Sequence, residues 1–292
     1  MKKIFLLLVF AAALPQIFFS CNSGNDAGKK AGADSSKTDS AKKISLGGAE
    51  VIGIGSADLQ KSVAYWQKLG FKKTNGNLES AERIEMSDES LVILLIHSEK
   101  PFLRISYFDA KANEIADAVE KAGNKFTIKN DNSMGVPRSI FYAADSVMVG
   151  LIASEASAVY CCKGKNLKTM TPKEQKDGAA YPNKKCGVFG EFSVPVKDLD
   201  ASMKYWSQFG FTSDGKYSNP YPWCIMNDGK MVLGLHQQTH FNYRALTYFA
   251  PDMKKRIEQL KKEGIVFTGS GQGDDNLVTV SPEGVHLFLF EL

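Results

Sequence analysis

Apolar and polar residues follow the same order in two stretches of the chain that lie 140 positions apart. The stretch DLQKSVAYWQKLGF (58–71) places Val63, Trp66 and Leu69 at helical spacing, and the stretch DLDASMKYWSQFGF (198–211) repeats the pattern with Met, Trp and Phe. Apolar residues spaced in this way predict an amphipathic helix that buries one face. A glycine near the end of each stretch marks where the helix must stop. The chain is therefore predicted to build the same helix twice.

The repeat extends well beyond this helix. The stretch MSDESLVILLIH (86–97) aligns with MNDGKMVLGLHQ (226–237) at the same offset, and later strand patterns align at offsets of 141 and 138. Within each copy, a short strand, a helix and three further strands recur twice. An internal repeat of this length predicts two homologous domains, over residues 48–155 and 187–292. Each domain is expected to contain two βαβββ units.

The repeated motif D-L-x-x-S-x-x-Y-W, followed by G-F and placed after a first strand, resembles that of the vicinal oxygen chelate superfamily. Members of that superfamily include glyoxalase I, extradiol dioxygenases and the bleomycin and fosfomycin resistance proteins. The resemblance covers both domains, about three quarters of the chain. It implies an α+β fold of two tandem domains, in each of which two βαβββ units form a cupped mixed sheet. The cup would be the ligand or metal site.

The first 47 residues carry a targeting pattern and no fold pattern. Residues 1–20 combine a positive start, an apolar run of eleven residues and a small residue before Cys21. This arrangement resembles a bacterial lipoprotein signal, in which Cys21 becomes the lipidated first residue; a plain secretory signal and an uncleaved anchor are the alternatives. Residues 21–47, which include Cys21, are predicted to be a flexible tether. The protein is expected to be exported and anchored to a bacterial cell-envelope membrane, with its body facing the periplasm or the exterior.

Composition narrows the choice of partners. Of the 292 residues, 43% are hydrophobic, which is enough for two cores, and the formal net charge is +4. Most of the surplus Lys lies in the N-terminal tail and in the segment between the domains. Because no basic stripe with interleaved aromatic residues occurs, nucleic acid is not expected to bind.

The segment between the domains, residues 156–186, has an irregular pattern. It is predicted to be a connector with a short helix beginning near Pro172. In an exported protein, Cys161 or Cys162 could form a disulfide with Cys186 across this segment. The two domains are expected to sit together as an intramolecular pseudo-dimer.

The resemblance also places four metal-ligand positions in each domain, on the first, fourth, fifth and eighth strands. Divalent metals in the superfamily are held there by carboxylates, His or Gln. The residues at these positions are Val51, Leu94, Leu103 and Gly150 in the first domain and Glu191, Gly234, Arg244 and Phe288 in the second. No resident metal is therefore expected.

Strand alternation predicts which residues line the first cup. They are all apolar: Val51, Val92, Leu94, Ile96, Leu103, Ile105, Met148 and Ile152. The first domain is therefore expected to be a packing partner or an apolar pocket.

The second cup is predicted to be more polar. The candidate ligand-binding residues are Glu191, Trp223, His236, Arg244, Tyr248 and His286. Three arrangements stay open. Glu191, His236 and His286 could hold one displaced divalent transition metal. Glu191 could pair with Arg244, leaving both His as polar lining. Alternatively, Arg244 could grip the anionic group of an organic ligand on which Trp223 stacks.

These patterns predict an envelope lipoprotein that binds a small anionic or aromatic compound in the second cup without a metal. One alternative is a metal-dependent lyase or dioxygenase of the glyoxalase type. Another is a structural protein that recruits an envelope partner. The missing metal ligands incline the prediction away from an enzyme, although they leave the question open.

Overall fold

The computed structural model describes residues 43–79, 82–133, 135–154, 167, 170–269 and 277–292. Lys43–Leu292 form one compact unit. It contains five α-helices in the described ranges: α1 (Leu59–Lys68), α2 (Ala112–Lys121), α3 (Pro172–Lys176), α4 (Leu199–Ser207) and α5 (Met253–Lys262). Its strands form two eight-stranded sheets, and two short 3-10 helices lie at Ala144–Ser146 and Gly178–Ala180.

The first sheet has the strand order β2-β3-β4-β1-β5-β8-β7-β6. Its strands are β1 (Ala49–Ser56), β2 (Lys72–Asn75), β3 (Arg83–Ser87), β4 (Val92–His97), β5 (Leu103–Phe108), β6 (Phe126–Asp131), β7 (Arg138–Tyr142) and β8 (Met148–Ile152). Strand β1 pairs with β4 in parallel and with β5 antiparallel, and β5 pairs with β8 in parallel. The sheet is therefore two βαβββ units joined through their first strands.

The second sheet repeats this arrangement in the order β10-β11-β12-β9-β13-β16-β15-β14. Its strands are β9 (Val188–Pro195), β10 (Thr212–Ser213), β11 (Trp223–Asn227), β12 (Val232–His236), β13 (Ala245–Ala250), β14 (Thr268–Gly269), β15 (Leu277–Val280) and β16 (His286–Glu291). The same parallel and antiparallel pairs recur at β9 and β13. The predicted α+β fold, with two βαβββ units in each mixed sheet, is confirmed.

The duplicated helix begins and packs in the same way in both domains. Asp58 and Asp198 cap the two helices by accepting hydrogen bonds from the backbone N–H three residues later. Trp66 and Trp206 are fully buried, with no exposed surface. Burying an aromatic residue of this size removes a large apolar area from water. The predicted packing role of the two tryptophans is confirmed.

The two domains make reciprocal polar contacts. The Tyr107 hydroxyl donates to Asp228 Oδ2 at 2.9 Å, and the Tyr248 side chain lies close enough to Asp88 to lower the pKa of that carboxyl group. By the repeat, Tyr248 corresponds to Tyr107 and Asp228 to Asp88. Each domain therefore supplies the same tyrosine to the same aspartate of the other domain. Matching contacts of this kind are typical of an isologous interface.

The folded body begins earlier than the predicted tether allows. Leu46 lies in the central core with 1% of its surface exposed, and the Ile44 N–H donates to Gln208 O at 2.9 Å. The predicted boundary between the tether and the folded body, at residue 47, therefore lies too far along the chain. The predicted signal, Cys21 and the rest of the tether lie outside the described residues.

The connector is ordered where it is described. Helix α3 starts at Pro172 with a capping box formed by Thr171 and Glu174, so the predicted helix is confirmed. Cys186 is a free, buried thiol, and burial raises its pKa. The suggested disulfide to Cys186 is therefore not formed in this structure; its proposed partners lie outside the described ranges.

No helix in the described ranges has both the length and the apolar character that crossing a bilayer requires.

Candidate functional site

The most polar part of the second cup is a buried pair of side chains from neighbouring strands. Glu191 on β9 and His236 at the end of β12 meet with 2.7 Å between Glu191 Oε1 and His236 Nε2. Glu191 is 5% exposed. Both residues were predicted to line this cup, and the structure brings them together there.

A short hydrogen-bond chain fixes the Glu191 carboxylate. Ser193 Oγ lies 2.6 Å from Glu191 Oε1 and 2.5 Å from Thr247 Oγ1. Since the single Ser193 hydroxyl proton goes to Glu191, the Thr247 hydroxyl donates to Ser193. Oε1 thus accepts two hydrogen bonds, from Ser193 and from His236. Oε2 accepts no hydrogen bond from any described residue. It is not fully enclosed by protein atoms, so it keeps some contact with solvent.

Opposing effects set the charge of Glu191. Burial by itself raises the pKa of this carboxyl, but the charge and hydrogen bond of His236 and the Ser193 hydrogen bond lower it below its usual range. The carboxylate is therefore ionised at neutral pH. To donate to it, His236 must carry a proton on Nε2.

A glycine makes room for this carboxylate. Gly234 on β12 lies directly beneath Glu191, and a Cβ atom at position 234 would overlap the carboxylate group. The corresponding positions in the first domain hold Leu94 and Val51. The second domain has therefore replaced an apolar pair with a buried carboxylate over a glycine.

Aromatic side chains surround the pair. The Trp223 and His236 rings are nearly parallel, at 16°, with their centroids 6.3 Å apart. The Tyr221 hydroxyl is 3.5 Å from His236 Nδ1, and the Phe241 ring centroid is 6.0 Å from that of His236. Phe241 in turn packs edge-on against Phe288 at 5.2 Å. The side chains that surround the Glu191–His236 pair are thus mostly aromatic.

The predicted position of Tyr248 is wrong. Tyr248 is fully buried and packs against Phe189 in the central core, on the face opposite the cup. Thr247 occupies the cup face instead, because it pairs with Glu191 across β9 and β13. The register is irregular between Thr247 and Tyr248. Sequence analysis missed Thr247, although its repeat equivalent, Ser106, is also a hydroxyl residue.

Arg244 does not pair with Glu191. Its Nη1 donates to the backbone oxygen of Asp145 in the first domain at 3.3 Å. Within the described ranges, no ion pair involves Arg244. The alternative in which Glu191 pairs with Arg244 is therefore wrong, and Arg244 contacts the other domain. The guanidinium group that is predicted to bind an anionic ligand in the second cup therefore contacts Asp145 instead.

The displaced metal site does not form either. His286 stacks on Tyr243 with a centroid separation of 3.5 Å, and burial lowers its pKa. In the part of the chain that the structure describes, no three His, Cys, Asp or Glu side chains are arranged to hold a metal ion. Protein zinc sites use three or four such ligands. The donor set here, Glu191 and His236, does not fit that requirement.

The first cup is not wholly apolar, which corrects the prediction for it. Val51, Val92 and Leu94 line it as predicted, together with Phe108. However, Leu103 and Ile105 belong to the central core on the other face. The alternate residues of β5, Arg104 and Ser106, pair with Gly53 and Val51 and so face the cup.

Solved structures with a similar fold are dioxygenases. Homoprotocatechuate 2,3-dioxygenase from Arthrobacter globiformis matches with a TM-score of 0.53 at 13% identity, over 87% of this chain and 82% of that chain. The extradiol ring-cleaving dioxygenase from Brevibacterium fuscum matches with a TM-score of 0.55 at 12% identity, over 87% and 74%. A single-site variant of homoprotocatechuate 2,3-dioxygenase from the same organism gives a TM-score of 0.54 at 12% identity, over 87% and 73%. No protein-family model and no curated protein sequence matches the chain.

At this level of identity, the similarity concerns the fold. The duplicated Tyr-Trp helix motif, the four βαβββ units and the joining of paired units through their first strands all agree with it. The chain therefore has the two-domain fold of the vicinal oxygen chelate superfamily, as found in the extradiol dioxygenases.

Proposed function

We propose that the second cup binds a small aromatic compound that carries a hydroxyl or N–H group, without a resident metal. The observation that carries the proposal is the state of Glu191. This ionised carboxylate is held by two donors on Oε1, whereas Oε2 receives no hydrogen bond from the described residues. A buried carboxylate oxygen with spare acceptor capacity favours a ligand that donates a hydrogen bond.

The surroundings favour an aromatic ligand. Binding pockets are mostly apolar with a few placed polar groups, and this cup offers one carboxylate among aromatic rings. Trp223 and Phe241 can contact the faces and edges of a planar ring. The fold neighbours support the same class, since one of them is named as a ring-cleaving dioxygenase. An anion is disfavoured here because Glu191 carries the negative charge and Arg244 lies elsewhere.

Phenol should quench the fluorescence of the protein in a saturable way, and anisole should bind at least about tenfold more weakly. Anisole has the same ring but no hydroxyl proton, so it cannot donate to Glu191. A hydrogen bond to a charged group contributes about 1.5–3 kcal/mol, which is about tenfold or more in affinity. Fluorescence isolates this cup, because Trp66 and Trp206 are fully buried and only Trp223 contacts it. Trp223→Phe should abolish the signal.

Glu191→Gln should remove the preference for phenol over anisole, because a neutral amide replaces the ionised acceptor. The matched control is Glu85→Gln, which changes a buried carboxyl in the other domain and should leave phenol binding intact. Equal phenol affinity in wild-type and Glu191→Gln protein would contradict the proposal. If neither phenol nor anisole binds in a saturable way, a structural or partner-recruiting role is favoured instead.

The fold similarity favours a second candidate, a metal-dependent dioxygenase. Glu191 and His236 are the residues that would belong to such a site, although the described donor set falls short of three ligands. Metal analysis of protein purified without added metal separates the two candidates. One equivalent of transition metal, lost in both Glu191→Gln and His236→Ala protein, would establish the second candidate and overturn the first.

The N-terminal pattern supports lipid anchoring as part of the same proposal. Cys21→Ser should prevent incorporation of labelled fatty acid and leave the precursor uncleaved, because the thiol that receives the lipid is missing. The control is Cys224→Ser, which removes a buried thiol far along the chain. Fatty acid that still enters the Cys21→Ser protein would show that the lipoprotein interpretation is wrong.

A further inference from the structure

The first cup contains a buried guanidinium group. Arg104 on β5 is 6% exposed. Its side chain lies across two glycines: a Cβ at Gly150 would approach Arg104 Cδ and Nε to 3.0 Å, and a Cβ at Gly53 would lie 3.5 Å from Nε and Nη2. A side chain at Gly150 would crowd Arg104, whereas a Cβ at Gly53 would only be in van der Waals contact with the guanidinium. Gly150 therefore provides the space in which Arg104 lies over the sheet.

Within the described ranges, no carboxylate is paired with this guanidinium. Arg104 Nε donates to Ser106 Oγ at 2.9 Å, and the guanidinium carbon lies 5.0 Å from the Phe102 ring centroid. Among the described residues, no Asp or Glu forms an ion pair with Arg104, and its two Nη atoms have no hydrogen-bond acceptor. Neither Nη atom is fully enclosed by protein atoms, so both keep contact with solvent. Burial and the charge of Arg138 lower the pKa of Arg104 to about 10, which leaves it ionised at neutral pH.

The fold itself does not require this arginine. By the repeat, Arg104 corresponds to Ala245 and Gly150 to Phe288. The second domain thus builds the same sheet with a small residue in place of Arg and a ring in place of Gly. A buried, unpaired charge is costly because water solvates it better than a protein interior does. Arg104 is therefore a feature of the first cup that packing does not explain.

We propose that the first cup binds a small organic monocarboxylate, whose carboxylate is held in a bidentate fork by Arg104 Nη1 and Nη2. The planar guanidinium matches the geometry of a carboxylate. The apolar residues around it, Val51, Leu94 and Phe108, contact the hydrocarbon part of the ligand. This site is distinct from the one at Glu191, and it does not rest on the function proposed there.

The surroundings favour a single negative charge over a phosphate dianion. Arg138 lies on the same face but pairs with Asp131 Oδ2 at 3.0 Å, so Arg104 is the principal donor, and its Nε already donates to Ser106. The apolar neighbours also suit a hydrocarbon chain better than a hydrated phosphate.

The test compares hexanoate with hexanamide by calorimetric titration of the purified protein. Hexanoate is not aromatic, so its binding does not depend on the second cup. Wild-type protein should bind one equivalent of hexanoate and bind hexanamide at least about tenfold more weakly. Arg104→Gln should lose at least about tenfold in hexanoate affinity, and Arg104→Lys should fall between the two because it keeps the charge and loses the fork.

The matched control is Arg244→Gln, which removes the half-buried guanidinium at the domain interface and should leave hexanoate binding unchanged. A second measurement shows whether the variants fold: Arg104→Met should unfold at the same temperature as ligand-free wild-type protein or higher, because it removes an unpaired buried charge. Hexanoate should raise the unfolding temperature of wild-type and Arg244→Gln protein, and it should not raise that of Arg104→Gln or Arg104→Met protein. Absence of saturable hexanoate binding, or equal binding by Arg104→Gln protein, would overturn the proposal, as would loss of binding in Arg244→Gln alone.

Discussion

Replacing Gly234 with alanine is expected to lower the free energy of unfolding by about 3 kcal/mol. The Cβ at this position overlaps the Glu191 carboxylate, so the carboxylate must move. Moving it breaks a buried pair with His236 and the hydrogen bond from Ser193. Overpacking alone costs about 1–3 kcal/mol, and an uncompensated buried charge adds to that cost.

Urea unfolding measures this change, and Gly269→Ala is the matched control. Gly269 is also a strand glycine, but a Cβ there has no atom within 4 Å. That variant should stay within about 0.5 kcal/mol of wild-type protein. If Gly234→Ala protein is as stable as wild-type protein, the carboxylate does not occupy the place described here.

The first domain suggests a compensating change. The positions equivalent to Glu191 and Gly234 hold Val51 and Leu94, which pack together. The double variant Glu191→Val/Gly234→Leu should therefore be more stable than the sum of its two single variants predicts. Residues in direct contact show such coupling, of about 0.5–3 kcal/mol. Simple additivity in this cycle would mean that the two sites are independent.

Asn183→Ala is expected to cost about 3–4 kcal/mol, because the Asn183 side chain ties the connector to the first domain through four hydrogen bonds. Its Nδ2 donates to Leu69 O and to Asp88 Oδ2, each at 2.9 Å. Its Oδ1 accepts from the N–H groups of Lys185 and Cys186. Alanine removes all four of these hydrogen bonds, one of which goes to the buried carboxyl group of Asp88.

This loss should depend on pH. Burial raises the pKa of Asp88 above its ordinary value, while Asn183 and other donors oppose the rise. The folded state therefore binds the Asp88 proton more tightly than the unfolded state does, and stability increases as pH falls through the folded pKa. Removing Asn183 raises that pKa further. The cost of Asn183→Ala should be largest near neutral pH and should shrink as pH falls toward the ordinary pKa of Asp.

Urea unfolding at about pH 7 and about pH 5 tests this dependence. Asn124→Ala is the matched control, because Asn124 bridges the domains, through Tyr205, but contacts no buried carboxylate. Its smaller cost should be the same at both pH values. A pH-independent cost for Asn183→Ala would show that the hydrogen bond to Asp88 contributes little.

Much of the fold could be predicted because it depends on local patterns that occur twice. Helical spacing around Trp66 and Trp206 fixes which helix face is buried, and the repeat period fixes the number of domains. Glu191 and His236 could also be assigned to one cup, since each lies on a strand whose alternation is clear. Their pairing follows only from the parallel register of β9 and β12, which the structure provides.

The errors on β5 and β13 have one cause. Both strands were assigned one residue out of phase, which put Leu103 and Arg244 on the cup faces and turned Arg104 and Thr247 away from them. Because side chains alternate with a period of two, an error of one residue moves every side chain of a strand to the opposite face. This shift in phase is why the charge of Arg104 is absent from the lining predicted for the first cup.

The sequence by itself determined the duplication, the βαβββ order, the helix caps and the buried tryptophans, because these follow from short-range periodicity and from chain stereochemistry. Only the tertiary structure decided that Glu191 pairs with His236, that Arg244 contacts Asp145, and that Arg104 has no carboxylate partner. The charge balance of a buried group depends on side chains from strands that are distant along the chain and adjacent in the sheet. Strand pairing, which fixes those neighbours, is not encoded in any one segment.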